Sequence, residues 1–158
     1  MMSQDGTIYS GSDNPRQVAE FVCHAVNGWT ENPTRMLPYF TEDGGWDFPF
    51  APEEFGLFFK QLRGAEAMKT YFSSLTPYME KLDVGPAENW GAHKIDAPWT
   101  YLFTYSGTAI IKPSGKLYKQ DYISVVTLEH GKIKNYREYW NPYVALVDFG
   151  LAAPVGKP

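Results

Sequence analysis

From Trp99 to Ile111, bulky apolar residues recur at every second position. Trp99, Tyr101, Phe103, Tyr105, Gly107, Ala109 and Ile111 form one parity, and Thr100, Leu102, Thr104, Ser106, Thr108 and Ile110 the other. Alternation with a period of two marks a strand with one buried face, and here the odd parity is expected to be inside. Further on, the arms LYKQDYISVVTLE and KIKNYREYW flank His130-Gly131 and read as a hairpin from Lys116 to Trp140 closed by a two-residue turn. If Glu129 pairs with Lys132, Glu138 falls opposite Ile123 and Trp140 opposite Asp121. A three-residue connection at Pro113-Ser114-Gly115, with Gly115 left-handed, sets Asp121 opposite Gly107. In that register Asp121 and Glu138 share an apolar face with Ile123, Val125, Tyr136 and Trp140. A carboxylate there must be hydrogen-bonded, paired or held protonated, because an unpaired buried charge is too costly.

The first half of the chain has helical spacing instead. Asn14, Pro15 and Gln17 supply an N-cap, a first-turn proline and a capping-box partner, and Val18, Phe21, Val22, Ala25, Val26 and Trp29 then form one stripe. Asn32-Pro33 predicts a short second helix through Tyr39, followed by a loop at Thr41 to Gly45. Trp46, Phe48 and Phe50 alternate as a short strand, while Glu53 to Leu62 has no clear period and reads as a loop or flap over a pocket mouth. Gly64 precedes a third helix whose buried side is Met68, Tyr71, Phe72 and Leu75, interrupted at Pro77. Leu82 to Ile95 is expected to be a strand broken at Gly85-Pro86, and Tyr143 to Phe149 a helical turn. Residues 1–13 read as a polar arm, 14–150 as one domain and 151–158 as a tail. Helices followed by antiparallel strands give an α+β domain with a curved sheet wrapped around the N-terminal helices, and the part of the sheet left uncovered becomes a pocket.

Composition narrows the partners. A net charge of −4 with scattered Lys and Arg argues against nucleic acid and anionic membranes, and no apolar run reaches the length of a membrane span. The N-terminus lacks a signal-peptide pattern and the single Cys23 suits a reducing compartment, so a cytoplasmic location is expected. His24, His93 and His130 are far apart and form no metal-ligand spacing. The aromatic fraction, 16%, exceeds what a core of this size needs and suits a large apolar pocket.

The runs FTEDGGWDFPFAPEEF, LRGAEAMKTYF and TLEHGKIKNYREYWNPYVALVDFG resemble, in that order, the SnoaL-like branch of the nuclear-transport-factor-2-like superfamily, and within it the phenazine-biosynthesis A/B group. The resemblance implies a cone-shaped α+β barrel with a deep pocket, no cofactor, and a homodimer formed through the outer face of the sheet. Polyketide cyclases, isomerases, epoxide hydrolases, dehydratases and non-catalytic proteins share that branch. By the same resemblance Glu138, in Arg137-Glu138-Tyr139, takes the place of an acid/base glutamate, and Tyr118 that of a tyrosine on the preceding strand. Tyr71 stands where the phenazine group has a histidine.

Tyr118 falls on the parity opposite Asp121, and a bulge would reconcile the two. The candidates for proton transfer are therefore Glu138, Asp121 and Tyr118. Trp46, Phe48, Tyr71, Trp99, Phe103, Tyr105, Tyr136 and Trp140 are candidates for lining a site for a flat hydrophobic ligand, although each taken singly is an ordinary core residue. Tyr105, Tyr118 and Tyr136 are possible donors to an oxyanion. The uncharged outer parity, Thr100, Thr104, Ser106 and Thr108 with Tyr122 and Ser124, suits a dimer contact. Two functions are compatible with this pattern. One is a cofactor-independent acid/base enzyme of secondary metabolism, a cyclase, isomerase or dehydratase acting on an aromatic or polycyclic carbonyl compound. The other is a non-catalytic carrier of a hydrophobic small molecule.

Overall fold

The computed structural model describes residues 9–156. Helix α1 spans Pro15–Val26, and the Asn14 side chain accepts hydrogen bonds from the Arg16 and Gln17 N–H groups at its start. Its other end is closed by Arg35, whose guanidinium donates to the carbonyls of His24, Ala25 and Asn27. The expected second helix is only a 3-10 turn at Leu37–Tyr39, since Pro38 has no N–H to continue it. Strand β1 covers Phe40–Asp47, so the expected loop at Thr41 to Gly45 is an irregular extended stretch. Then follow β2 (Gln61–Arg63), α2 (Ala65–Leu75), β3 (Met79–Asp83), β4 (Gly91–Lys94), β5 (Thr100–Ile111), β6 (Lys116–Glu129), β7 (Lys132–Trp140) and α3 (Pro142–Asp148). The break expected at Gly85-Pro86 separates β3 from β4. No helix among the described residues is long and apolar enough to cross a membrane.

The strands form one mostly antiparallel sheet in the order β2-β1-β7-β6-β5-β3, with β4 also pairing with β5 and β1 running parallel to β7. It is curved but open, because among the described residues nothing pairs β2 with β3 to close a barrel. Its inner face, α1 and α2 contribute to a single core. Phe103 and Tyr105 are buried and Thr104 is exposed, as the alternation in β5 predicts.

The register departs from expectation in two places. The β5–β6 connection contains four residues, Lys112 to Gly115, because Ile111 pairs with Lys116. One additional residue inverts the parity: Asp121 lies opposite Ser106, Gly107 opposite Gln120, and Tyr118, Gln120, Tyr122 and Ser124 face inward. Ile123 and Val125, expected inside with the two acids, therefore lie on the outer face, and Tyr122 and Ser124 leave the expected dimer surface. The second departure is a bulge. Leu128 pairs with Ile133 but Thr127 with Asn135, so Lys134 is an extra residue in β7. Beyond it Glu138 faces Ser124 and Trp140 faces Tyr122, with Tyr136, Glu138 and Trp140 on the inner side.

Of the polar N-terminal arm, residues 1–8 lie outside the described part. Tyr9 to Asp13 runs beside the hairpin turn, where the Ser10 N–H donates to the Gly131 carbonyl at 2.6 Å and Asp13 pairs with Lys94.

Gly45 marks a place where two backbones touch. A Cβ at this position would run into the Leu62 carbonyl oxygen on β2. Gly45→Ala is therefore expected to destabilise the protein by about 2–4 kcal/mol, through lost β1–β2 pairing or strain. Urea unfolding of the two proteins measures this, and equal midpoints would contradict the close approach.

Candidate active site

The inner face of the sheet and the helices surround a cavity whose mouth is open to solvent. Its wall is almost wholly aromatic and aliphatic. Trp46 and Phe48 come from β1 and the turn after it, Tyr71 and Phe72 from α2, and Trp140 from the end of β7. Trp46 stacks on Phe48 at 5.3 Å and on Tyr136 at 4.0 Å, so Tyr136 lies behind the Trp46 ring. The segment after β1 bends over one side. Glu53 accepts a hydrogen bond from the Lys60 N–H, and Phe58 is buried against Trp140 and Phe149. The stretch without clear period in the sequence is thus a loop as far as Lys60, which supplies Phe58 to the cavity wall, and its last two residues, Gln61 and Leu62, belong to β2.

Glu138 is the one carboxyl that lines this cavity among the described residues, and no Lys, Arg or His lines it. Neither nearby cation in the chain reaches it, since Lys134 pairs with Asp43 at 2.6 Å and Arg137 points toward Asp47. Its Oε2 accepts a hydrogen bond from the Tyr105 hydroxyl at 2.9 Å. Having donated its single hydrogen there, Tyr105 must accept from its other neighbours, Ser124 Oγ at 2.8 Å and the Tyr136 hydroxyl at 2.6 Å. Tyr105 is held flat by Trp90, stacked at 3.9 Å on one side, and by Tyr122 at 5.1 Å. Burial raises the Glu138 pKa from 4.5 to about 8, and the Tyr105 bond only partly opposes it. The phenols of Tyr105, Tyr122 and Tyr136 are pushed well above their usual value, first by burial and then by the Glu138 charge among other groups, so they stay protonated.

Of the other candidates, Tyr118 lines the same cavity, with its oxygen accepting from Gln120 Nε2 at 2.9 Å. Asp121 does not. It is exposed on the outer face, where Ser106 Oγ donates to it at 2.6 Å, for the register reason given above. Trp99 precedes β5 with a φ of +52°, which ends the alternation there, and its side chain is 49% exposed beside Lys94. Phe103 is fully buried but packs against Trp90 and Tyr101 rather than lining the cavity. His93 is exposed on β4. The sequence reading passed over Ser124, Gln120 and Tyr122 as inner residues because of the parity error. Phe58 and Phe149 stood in segments without a usable period.

A model of the SnoaL-like domain matches residues 18–136, and the chain belongs to that family. The match ends just before Glu138. YesE, an uncharacterized protein of Bacillus subtilis strain 168, is 29% identical over 133 residues, which cover 79% of this chain and 76% of YesE. Among solved structures, a phenazine biosynthesis-related protein from Pseudomonas aeruginosa is similar with a TM-score of 0.69 at 18% identity, over 92% of this chain and 86% of its own. The pinacolase BvnE from Penicillium brevicompactum is similar with a TM-score of 0.62 at 19% identity, over 84% and 92%. These two likenesses concern the fold.

Proposed function

We propose that the protein is a cofactor-independent acid/base enzyme of secondary metabolism, in which Glu138 moves a proton on an aromatic or polycyclic carbonyl compound. The observation that carries this reading is a solitary carboxyl, oriented by a tyrosine, in a cavity with no compensating cation. Such a group has a pKa near the working pH and both takes and gives a proton, which suits general acid-base catalysis. Oε2 is occupied by Tyr105, and Oε1 has no hydrogen bond among the described residues, so Oε1 is the oxygen that exchanges the proton. As a carboxylate it removes a proton from the carbon beside the carbonyl, leaving an enolate. As the resulting acid it returns the proton to a different atom, which gives isomerisation, or assists ring closure or loss of water. Trp46 and Phe48, stacked on each other, supply an aromatic side of the cavity suited to such a ligand. We place the homodimer contact on the outer face of the sheet, where Ile123, 48% exposed, lies opposite Tyr139 and beside the Leu102–Val125 pair.

The test is deuterium exchange from D2O into an enolisable aromatic ketone, 2-tetralone, followed by mass spectrometry. Exchange faster than in buffer supports the enzyme. Binding of 2-tetralone and related ketones without any acceleration of exchange would instead support a carrier.

A further inference from the structure

Of the tyrosines expected as possible donors to a ligand, Tyr105 and Tyr118 line the cavity and Tyr136 lies behind Trp46, and their hydrogen bonds separate them. Tyr105 has already given its hydrogen to Glu138, and Tyr136 gives its own to Tyr105. Tyr118 differs because of its neighbour. The Gln120 side-chain amide is clamped to the backbone of Asn141: its Oε1 accepts from the Asn141 N–H at 3.0 Å and its Nε2 donates to the Asn141 carbonyl at 3.0 Å. A backbone N–H only donates and a carbonyl only accepts, so both ends of the amide are assigned without ambiguity. The remaining Nε2 hydrogen points to the Tyr118 oxygen at 2.9 Å, and an amide nitrogen cannot accept in return. The phenol must therefore be the acceptor in that pair. Its own hydrogen has no acceptor among the described residues and is left for the cavity that Tyr118 lines. Tyr122, whose hydroxyl has no hydrogen bond among the described residues, is free to rotate and sets no such polarity.

We infer that Gln120 is a positioning residue that makes Tyr118 an obligate hydrogen-bond donor to the ligand, which must therefore present an acceptor oxygen to it. Tyr118 is on β6, six residues from Ser124, the partner of Glu138 in β7, so it enters the cavity from another level of the sheet. The donor anchors one oxygen of the ligand while Glu138 acts at its own position. This inference rests on the reading of the cavity as a site for an aromatic carbonyl compound.

The experiment compares two probes of nearly equal shape, 2-acetylnaphthalene and 2-isopropenylnaphthalene, in which a CH2 group replaces the oxygen. The wild-type protein is expected to bind the ketone about tenfold more tightly than the alkene. Tyr118→Phe should bring the ratio close to one. Gln120→Glu should do the same, since the carboxylate accepts the phenol hydrogen and withdraws it from the ligand. The carbonyl stretch of the bound ketone should lie lower in wild type than in either variant, a readout that a merely structural role of Gln120 does not move. If Gln120→Glu fails to fold, Tyr118→Phe alone still decides whether the phenol donates. An unchanged ratio in Tyr118→Phe, a ratio lost in Tyr118→Phe but kept in a folded Gln120→Glu, or no binding of either probe would overturn the inference. Glu138→Gln should keep the probe preference while losing exchange, so failure of the catalytic reading is distinguishable from failure of this one.

Discussion

Glu138→Gln is expected to slow the protein-dependent exchange of the ketone by a factor on the order of a hundred to ten thousand while changing its dissociation constant far less. The amide keeps the size of the side chain and can still accept from Tyr105, but it cannot carry a proton back and forth. In the wild type the carboxylate is the form that removes the proton, and with a pKa of about 8 only roughly a tenth of the molecules carry it at pH 7. The exchange rate should therefore rise with pH up to about 8 and level off above it. An ordinary exposed glutamate would give an inflection three to four pH units lower, by the roughly 4.3 reference value. The residual rate in Glu138→Gln should not show that inflection. If the variant exchanges as fast as the wild type, Glu138 is not the proton carrier, and Asp121, on the outer face, is too badly placed to replace it.

The same substitution should stabilise the protein in alkaline solution. In the unfolded chain Glu138 titrates near 4.5, and in the folded one near 8. Below the lower value both states are protonated and the shift costs nothing. Between the two values the folded state holds a proton that the unfolded state has released, so stability falls by about 1.4 kcal/mol for each pH unit. Above the higher value both are ionised, and the full cost of a charged carboxyl in an apolar cavity is present, on the order of 5 kcal/mol. Thermal unfolding should show this as a wild-type midpoint that drops by roughly 10 °C between pH 5.5 and 8.5, beyond any drop in Glu138→Gln. Parallel midpoints in the two proteins across that range would mean that Glu138 is not held neutral. Such a cost, tolerated in the folded state, is a common mark of a group kept for chemistry.

Much of this arrangement was legible in the residues. The alternation in β5 correctly placed Phe103 and Tyr105 inside, and the high aromatic fraction announced an apolar cavity. The α+β class followed from the order of helical and alternating segments. The connections carried the errors. Lys112 gave no signal that it belongs to the turn, and that one residue moved Asp121 from the inside to the outside. Nor does a lysine at position 134 announce a bulge, and its pairing with Asp43 across the sheet is not legible from the local pattern. For Glu138 the two slips cancel: β6 is inverted relative to expectation, the bulge inverts β7 again beyond Lys134, and the glutamate faces inward as predicted for a different reason. For Asp121 only the first slip applies. The Tyr105–Ser124–Tyr136 cluster and the Gln120 clamp join residues from separate strands and from the segment after β7. Such contacts depend on register and curvature, which hydrophobic patterning does not record.

The most direct test of the central claim is the titration of Glu138 itself. In carbon-13-labelled protein the side-chain carboxyl resonance of Glu138 is assigned by its loss in Glu138→Gln and then followed from pH 4 to pH 10 in the ligand-free state. The structure predicts a midpoint at about 8, with the group neutral through the whole mildly acidic range. A midpoint at the ordinary glutamate value, about 4 to 5, would show a solvated, ionised side chain and contradict the account of Glu138 as a proton carrier poised by its apolar surroundings.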